Sequence, residues 1–206
     1  MRKFLSFFLP DRAKLILIIC LQRSEVTALH FFDHLHTINR HRALVRKYCF
    51  RLGLYWQGLT HDLSKYSPQE FRVGVKYFQG DHSPNDAERK DKGYSAAWLH
   101  HKGRNRHHLE YWTDYGQESD GSSGVVGVEM PVKYVAEMFC DRYAASQIYR
   151  GKAFKNEDPW KFFQRSKTHT ILNQKTADLL ESMLVKLRDE GEDAAFSYIR
   201  NDILKK

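Results

Sequence analysis

The chain has 206 residues, 42% hydrophobic and 28% charged, enough for one domain with its own core and outside the ranges of wholesale disorder or collagen-like repeats. Its three cysteines, Cys20, Cys49 and Cys140, are too widely spaced for a disulfide framework or a Cys-x-x-Cys zinc knuckle, which points to a reducing cytoplasm. The net charge is +8, but residues 1–51 alone hold ten Lys/Arg against three Asp/Glu. With no binding motif beside it, this basic stretch is expected to be a solvated helix face, and no specific nucleic-acid binding is expected.

Residues 1–24 read as an N-terminal extension. The apolar run Leu15–Leu21 is too short for a bilayer, which takes about 20 residues, and Asp11, Arg12 and Lys14 precede it. No small-x-small cleavage site follows it. An amphipathic helix is expected there, and no transmembrane span. Residues 25–206 read as a single all-α domain. One long helix covers 25–52 and stops at Gly53. Ser67-Pro68-Gln69-Glu70 starts another, with Ser as N-cap and Pro at the first helical position. A turn at Asp81–Asn85 and a short helix over Tyr94–His101 follow, and then a Gly/Ser-rich surface loop at 116–127. Pro131 opens a helix to about Arg150, and Asp158-Pro159-Trp160 caps a short one. Two further helices fill 171–190, closed by Gly191, and 192–204. No alternating β-branched run argues for a sheet.

Ten of the eleven histidines lie between His30 and His108, and histidine is the commonest metal ligand. At about 100° per residue, His34 and His41 share a helix face with Ile38, Val45 and Leu52, while His36 points the other way. A histidine on such a stripe is more often a hydrogen-bonded core residue than a ligand, so His34 stands as an additional candidate only. His61 and Asp62 are adjacent. On a regular helix their side chains diverge, but at a helix start or kink an imidazole and a carboxylate can converge on one divalent cation.

In order and spacing these residues resemble the HD-domain superfamily of metal-dependent phosphohydrolases. There one helix carries His-x-x-x-Val, the next Leu-x-His-Asp-x-x-Lys, and a later one an Asp. His41–Val45, Leu59–Lys65 and Asp141 match in turn. The resemblance implies a helical bundle holding Mn, Fe, Co, Ni or Zn, as one or two ions, through His41, His61, Asp62 and Asp141. The chain is also similar to a bacterial family of uncharacterised proteins carrying the segments that stand here as Gly53–Gly58, His61–Pro68 and His100–Asn105.

Between these elements lies the densest chemistry, His100, His101, Lys102, Arg104, Asn105, Arg106, His107 and His108. Paired histidines here resemble the additional ligands of two-metal relatives and imply a second ion or an acid/base role for His100, His101, His107 and His108. The Gly-Tyr-Pro signature of the cyclic-dinucleotide enzymes is absent, and Ala144 stands where such enzymes often carry a second Asp. Lys65, Lys102, Arg104 and Arg106 are expected to hold phosphate through charge-assisted donors. Asn105 either orients that phosphate or completes a turn. The expected activity is metal-dependent hydrolysis of a nucleotide or other phosphate ester, with a small anionic substrate. The alternatives are a di-iron or manganese redox enzyme on the same scaffold and a non-catalytic phosphate or nucleotide sensor.

Overall fold

The computed structural model describes the backbone of residues 11–117, 121 and 123–205, and side chains from residue 29 onward. Helix α1 spans Asp11–Arg51, and α2 spans Tyr55–Thr60. A 3-10 turn at Leu63–Tyr66 leads to α3 (Pro68–Lys76), α4 (Pro84–Lys92) and α5 (Ala96–Lys102). Strands β1 (Thr113–Gln117) and β2 (Ser123–Gly127) follow, then α6 (Val132–Arg150), α7 (Asp158–Lys167) and α8 (Gln174–Tyr198). The architecture is predominantly helical, as the sequence periodicity predicts. Among the described residues no helix is long and apolar enough to cross a membrane.

Helix α6 is the axis of the packing. Six consecutive residues, Val135 to Cys140, are buried, so this helix is covered on all sides rather than along one stripe. Helix α1 lays Val45, Tyr48 and Cys49, with Leu52 just past its end, against one flank, and α8 lays Leu180, Leu184, Leu187 and Phe196 against another. Cys49 and Cys140 are buried free thiols within this core. The stop at Gly53 is real, with φ at +83°, a backbone conformation that glycine adopts at no steric cost. Gly191 has φ +86° and breaks α8 where a boundary between two helices was expected.

Four local expectations are corrected. Helix α1 begins at Asp11 rather than at 25, because nothing in Leu15–Leu21 breaks a helix. The helix thus runs through 24/25 without a break; the amphipathic character expected of residues 1–24 lies outside the described side chains. The turn at Asp81–Asn85 is cut short by α4, which starts with Ser83 as N-cap and Pro84 next, the same signature that opens α3. Ser67 has the extended backbone of an N-cap, but its hydroxyl makes no capping bond.

The fourth correction is the 116–127 loop, whose described ends belong to two antiparallel strands, β1 and β2, pairing Tyr115 with Val125 and Gly116 with Gly124. Two of its glycines, Gly116 and Gly127, serve close approach, while Gly121 and Gly124 face open space. A Cβ on Gly127 would come within 2.5 Å of the Asn173 backbone nitrogen, and one on Gly116 within 2.7 Å of the Val126 side chain.

Candidate metal centre

The site is assembled where α2 breaks. After Thr60 the chain leaves helical geometry, and Asp62 takes φ +53°, ψ +26°, the one positive φ among described non-glycine residues. Aspartate tolerates this left-handed conformation better than most residues. The break turns the His61 and Asp62 side chains to the same side. Arg42 of α1 braces it, donating from Nε to the His61 carbonyl (2.7 Å) and from Nη2 to the Leu59 carbonyl (3.1 Å), both freed from the helix ladder.

Four residues from three segments meet here. His41 Nε2 lies 3.0 Å from Asp141 Oδ1, 3.3 Å from His61 Nε2 and 3.6 Å from Asp62 Oδ2. His61 Nε2 lies 3.4 Å from Asp62 Oδ2 and 3.7 Å from Asp141 Oδ1. Donors about 2.1 Å from a common ion sit roughly 3.0–3.4 Å apart in octahedral or tetrahedral array; three of these separations lie in that range, and the 3.6 and 3.7 Å ones exceed it by a few tenths of an ångström. A second set shares the same carboxylate. Asp62 Oδ1 lies 3.3 Å from His101 Nε2 and 3.4 Å from His107 Nε2, and His101 Nε2 lies 2.8 Å from His108 Nε2. Asp62 thus turns one oxygen to each set.

Two buried glutamates that motif reading passes over decide which ring nitrogens point inward. Glu137, on α6 one turn before Asp141, accepts from Nδ1 of His61 (2.9 Å) and of His107 (3.1 Å). Glu70, on α3, accepts from Nδ1 of His101 and of His100, each at 2.7 Å. With Nδ1 carrying the proton, His61, His101 and His107 present Nε2 lone pairs toward Asp62. Among the described residues, His107 Nε2 and Asp62 Oδ1 are buried with no hydrogen-bond partner. Lone pairs and carboxylate oxygens crowded together repel unless a cation lies between them. The donor set therefore fits divalent ions.

The electrostatics agree. Burial opposes charge on His61, yet Asp62, Asp141 and Glu137 outweigh it and raise its pKa to about 10. Burial and the His61 charge oppose a proton on His107, but bonds to Asp62 and Glu137 lift it to about 8. Burial works against ionisation of Asp62 and Asp141 too, but the surrounding imidazoles, with Lys65 beside Asp62, hold both carboxyls well below the usual range. His41, by burial, and His108, by burial and by the charges of His107 and His101, are pushed down. A site that attracts positive charge this strongly takes up protons or metal ions, and the two compete.

The remaining candidates are placed differently. Lys65 Nζ donates to Asp62 Oδ2 at 2.7 Å from a partly exposed position. His100 is in neither donor set, a correction to the ligand half of its expected role; its Nδ1 bonds Glu70 Oε1 while His101 takes the other oxygen of the same carboxylate. Asn105 is buried, and its amide donates to the His101 carbonyl and to Ser64 Oγ, both at 2.8 Å, so it completes the turn after α5 rather than facing a phosphate. Arg104 donates to the His100 carbonyl. Exposed Arg106 donates to the hydroxyls of Tyr111 and Tyr134. Lys102 is half-buried at the end of α5. Trp98 packs its ring against His101 and His108.

Residues 30–186 match the sequence profile of a family of unknown function, DUF5662. The chain belongs to that family. The matched span includes every residue of both donor sets and both orienting glutamates, so the whole centre lies inside the DUF5662 region. No curated protein and no solved structure matches the chain.

His34 lies in neither donor set. It sits between Phe71 and Phe78, with ring centroids at 5.3 and 5.9 Å, and against Gly74, where a Cβ would fall 1.9 Å from its Nε2. Burial, helped by the charge of Lys65, lowers its pKa to about 4. The unfolded chain therefore takes the proton first as pH falls, and the stability tied to neutral His34 is complete above pH 6.5 and lost on descent toward pH 4. Between pH 7 and pH 5 the unfolding free energy of wild type should fall by about 2 kcal/mol relative to that of His34→Leu. Urea unfolding of both at several pH values measures this, and parallel pH profiles would refute it.

Proposed function

We propose that this protein is a metal-dependent phosphohydrolase with a two-ion centre. The observation that carries the reading is the convergence of imidazole Nε2 atoms on both oxygens of Asp62, in two donor sets that share this carboxylate. His41, His61, Asp62 and Asp141 would hold one ion, and Asp62, His101, His107 and His108 the other. Ions bound there supply Lewis acidity toward a phosphoryl oxygen and toward water.

The protein's own residues then have defined work. Glu137 and Glu70 fix ring orientation and tautomer, and Trp98 walls the His101 and His108 rings. Lys65, already beside Asp62, places a cation at the edge of the centre, where charge on a phosphoryl group is offset. The order of the ligands along the chain, which resembles that of HD-domain phosphohydrolases, supports phosphate esters as substrates, nucleotides among them.

Protein purified without chelator should carry one or two equivalents of Mn, Fe, Co, Ni or Zn by elemental analysis. Loaded with the metal found, it should release phosphate from a panel of nucleotides and simple phosphate esters. Two irons per chain with near-ultraviolet absorption and no phosphate release would transfer the centre to oxidation chemistry. Metal-free protein that gains no activity with any of these ions would end the proposal.

A further inference from the structure

The cations singled out from sequence near the centre already have partners in Arg104 and Arg106, whereas one that was not singled out lacks them. Arg142 follows Asp141 directly on α6. Its Nε and Nη1 are buried and have no hydrogen-bond partner among the described residues. Its guanidinium lies 5.6 Å from the ring centroids of both Phe162 and Phe163 on α7. Phe163 is fully buried and Phe162 is 54% exposed, so the group lies near one core ring and one surface ring. Burial disfavours its charge, and Asp141 and Glu110 are the carboxylates whose fields favour it; neither is close enough to pair with it among the described ion pairs.

Arginine cannot escape this position by losing its proton. A guanidinium with orphaned buried N–H groups leaves donors unsatisfied at a cost of about 1–3 kcal/mol or more, which an anionic partner would remove. Its planar fork of parallel N–H groups fits two oxygens of a phosphoryl group. We propose that Arg142 is an oxyanion-recognition residue, taking a phosphate group of the substrate between α6 and α7 beside Asp141. Naming the anion as phosphate rests on the phosphohydrolase reading; the need for an oxyanion rests on Arg142 itself. Lys102, Arg104 and Arg106 are then not the principal phosphate donors.

The test titrates inorganic phosphate, and separately succinate, into the metal-loaded full chain of wild type, Arg142→Met and Arg142→Lys. Metal content is measured on each. All three should retain wild-type metal. Phosphate affinity should fall about ten- to a hundredfold in Arg142→Met, the loss expected for charge-assisted hydrogen bonds. Arg142→Lys, which keeps the charge without the fork, should fall between. If Arg142→Met does not fold, Arg142→Lys decides, and wild-type phosphate affinity in that variant overturns the proposal. Unchanged affinity in both variants also overturns it, as does wild type that binds succinate and not phosphate. The two readings fail separately. Arg142-dependent phosphate binding without ester hydrolysis leaves this site standing and removes the phosphohydrolase. Hydrolysis with phosphate affinity indifferent to Arg142 does the reverse.

Discussion

Asp62→Asn should empty at least one of the two ion sites and lower turnover by more than about a hundredfold, the upper end of what losing a ligand's outer partner costs. Asp62 is 1% exposed, and its oxygens are divided between the two sets. Asparagine keeps the shape but offers one oxygen and one amino group. Whichever way the amide turns, its amino group takes the place of one of the two oxygens, and the donor set on that side loses its carboxylate ligand. The substitution is chosen so that folding does not confuse the result. Asparagine accepts the left-handed backbone at position 62 about as well as aspartate does, and Arg42 grips the break through backbone carbonyls that the substitution leaves in place. Circular dichroism should therefore match wild type while elemental analysis and phosphate release do not. A variant that keeps two ions and wild-type turnover would sink the shared-carboxylate centre.

Much of this arrangement is legible in the chain because helices report themselves through periodicity. The face of α1 that joins His34, Ile38, His41 and Val45, and that Leu52 continues just past the helix end, follows from 3.6 residues per turn, and all five are buried. His41, His61, Asp62 and Asp141 can be grouped from motif order, and the structure brings them together. What escapes is whatever depends on who lies opposite. Glu70 reads as part of a helix start and Glu137 as a charge on an apolar helix; only the packing of α3 against α5, and of α6 against the α2 break, puts imidazoles within reach of them. Position within one turn of Asp141 was the available clue to Glu137. The hairpin escapes because its glycines look like loop punctuation, when Gly116 and Gly127 are contact points against Val126 and the Asn173 backbone. Charge density along a segment does not say which guanidinium already has partners, and Arg106 has two tyrosine hydroxyls while Arg142 lacks partners for two of its nitrogens.

The two glutamates separate the two ion sites, and their substitution should do so in solution. Glu137 Oε1 accepts from both His61 and His107, one ring from each donor set. In Glu137→Gln the amide oxygen can take that place and still accept from both Nδ1–H groups, but as a neutral and weaker acceptor than a carboxylate. Affinity should drop at both sets through weaker ring basicity, by about 10- to 100-fold, as for other outer partners of metal ligands. Glu70 touches only His101 among the ligands, and its second oxygen serves His100. Glu70→Gln should therefore weaken the His101–His107–His108 site and leave the His41–His61–Asp141 site near wild type. Stepwise metal titration, followed by calorimetry and elemental analysis, reads the two sites as two binding steps. The expected pattern is one step weakened in Glu70→Gln and both in Glu137→Gln. Equal loss of both steps in the two variants would mean that the sets do not bind as separate sites, and wild-type titrations in both would mean that these carboxylates only fill space in the core.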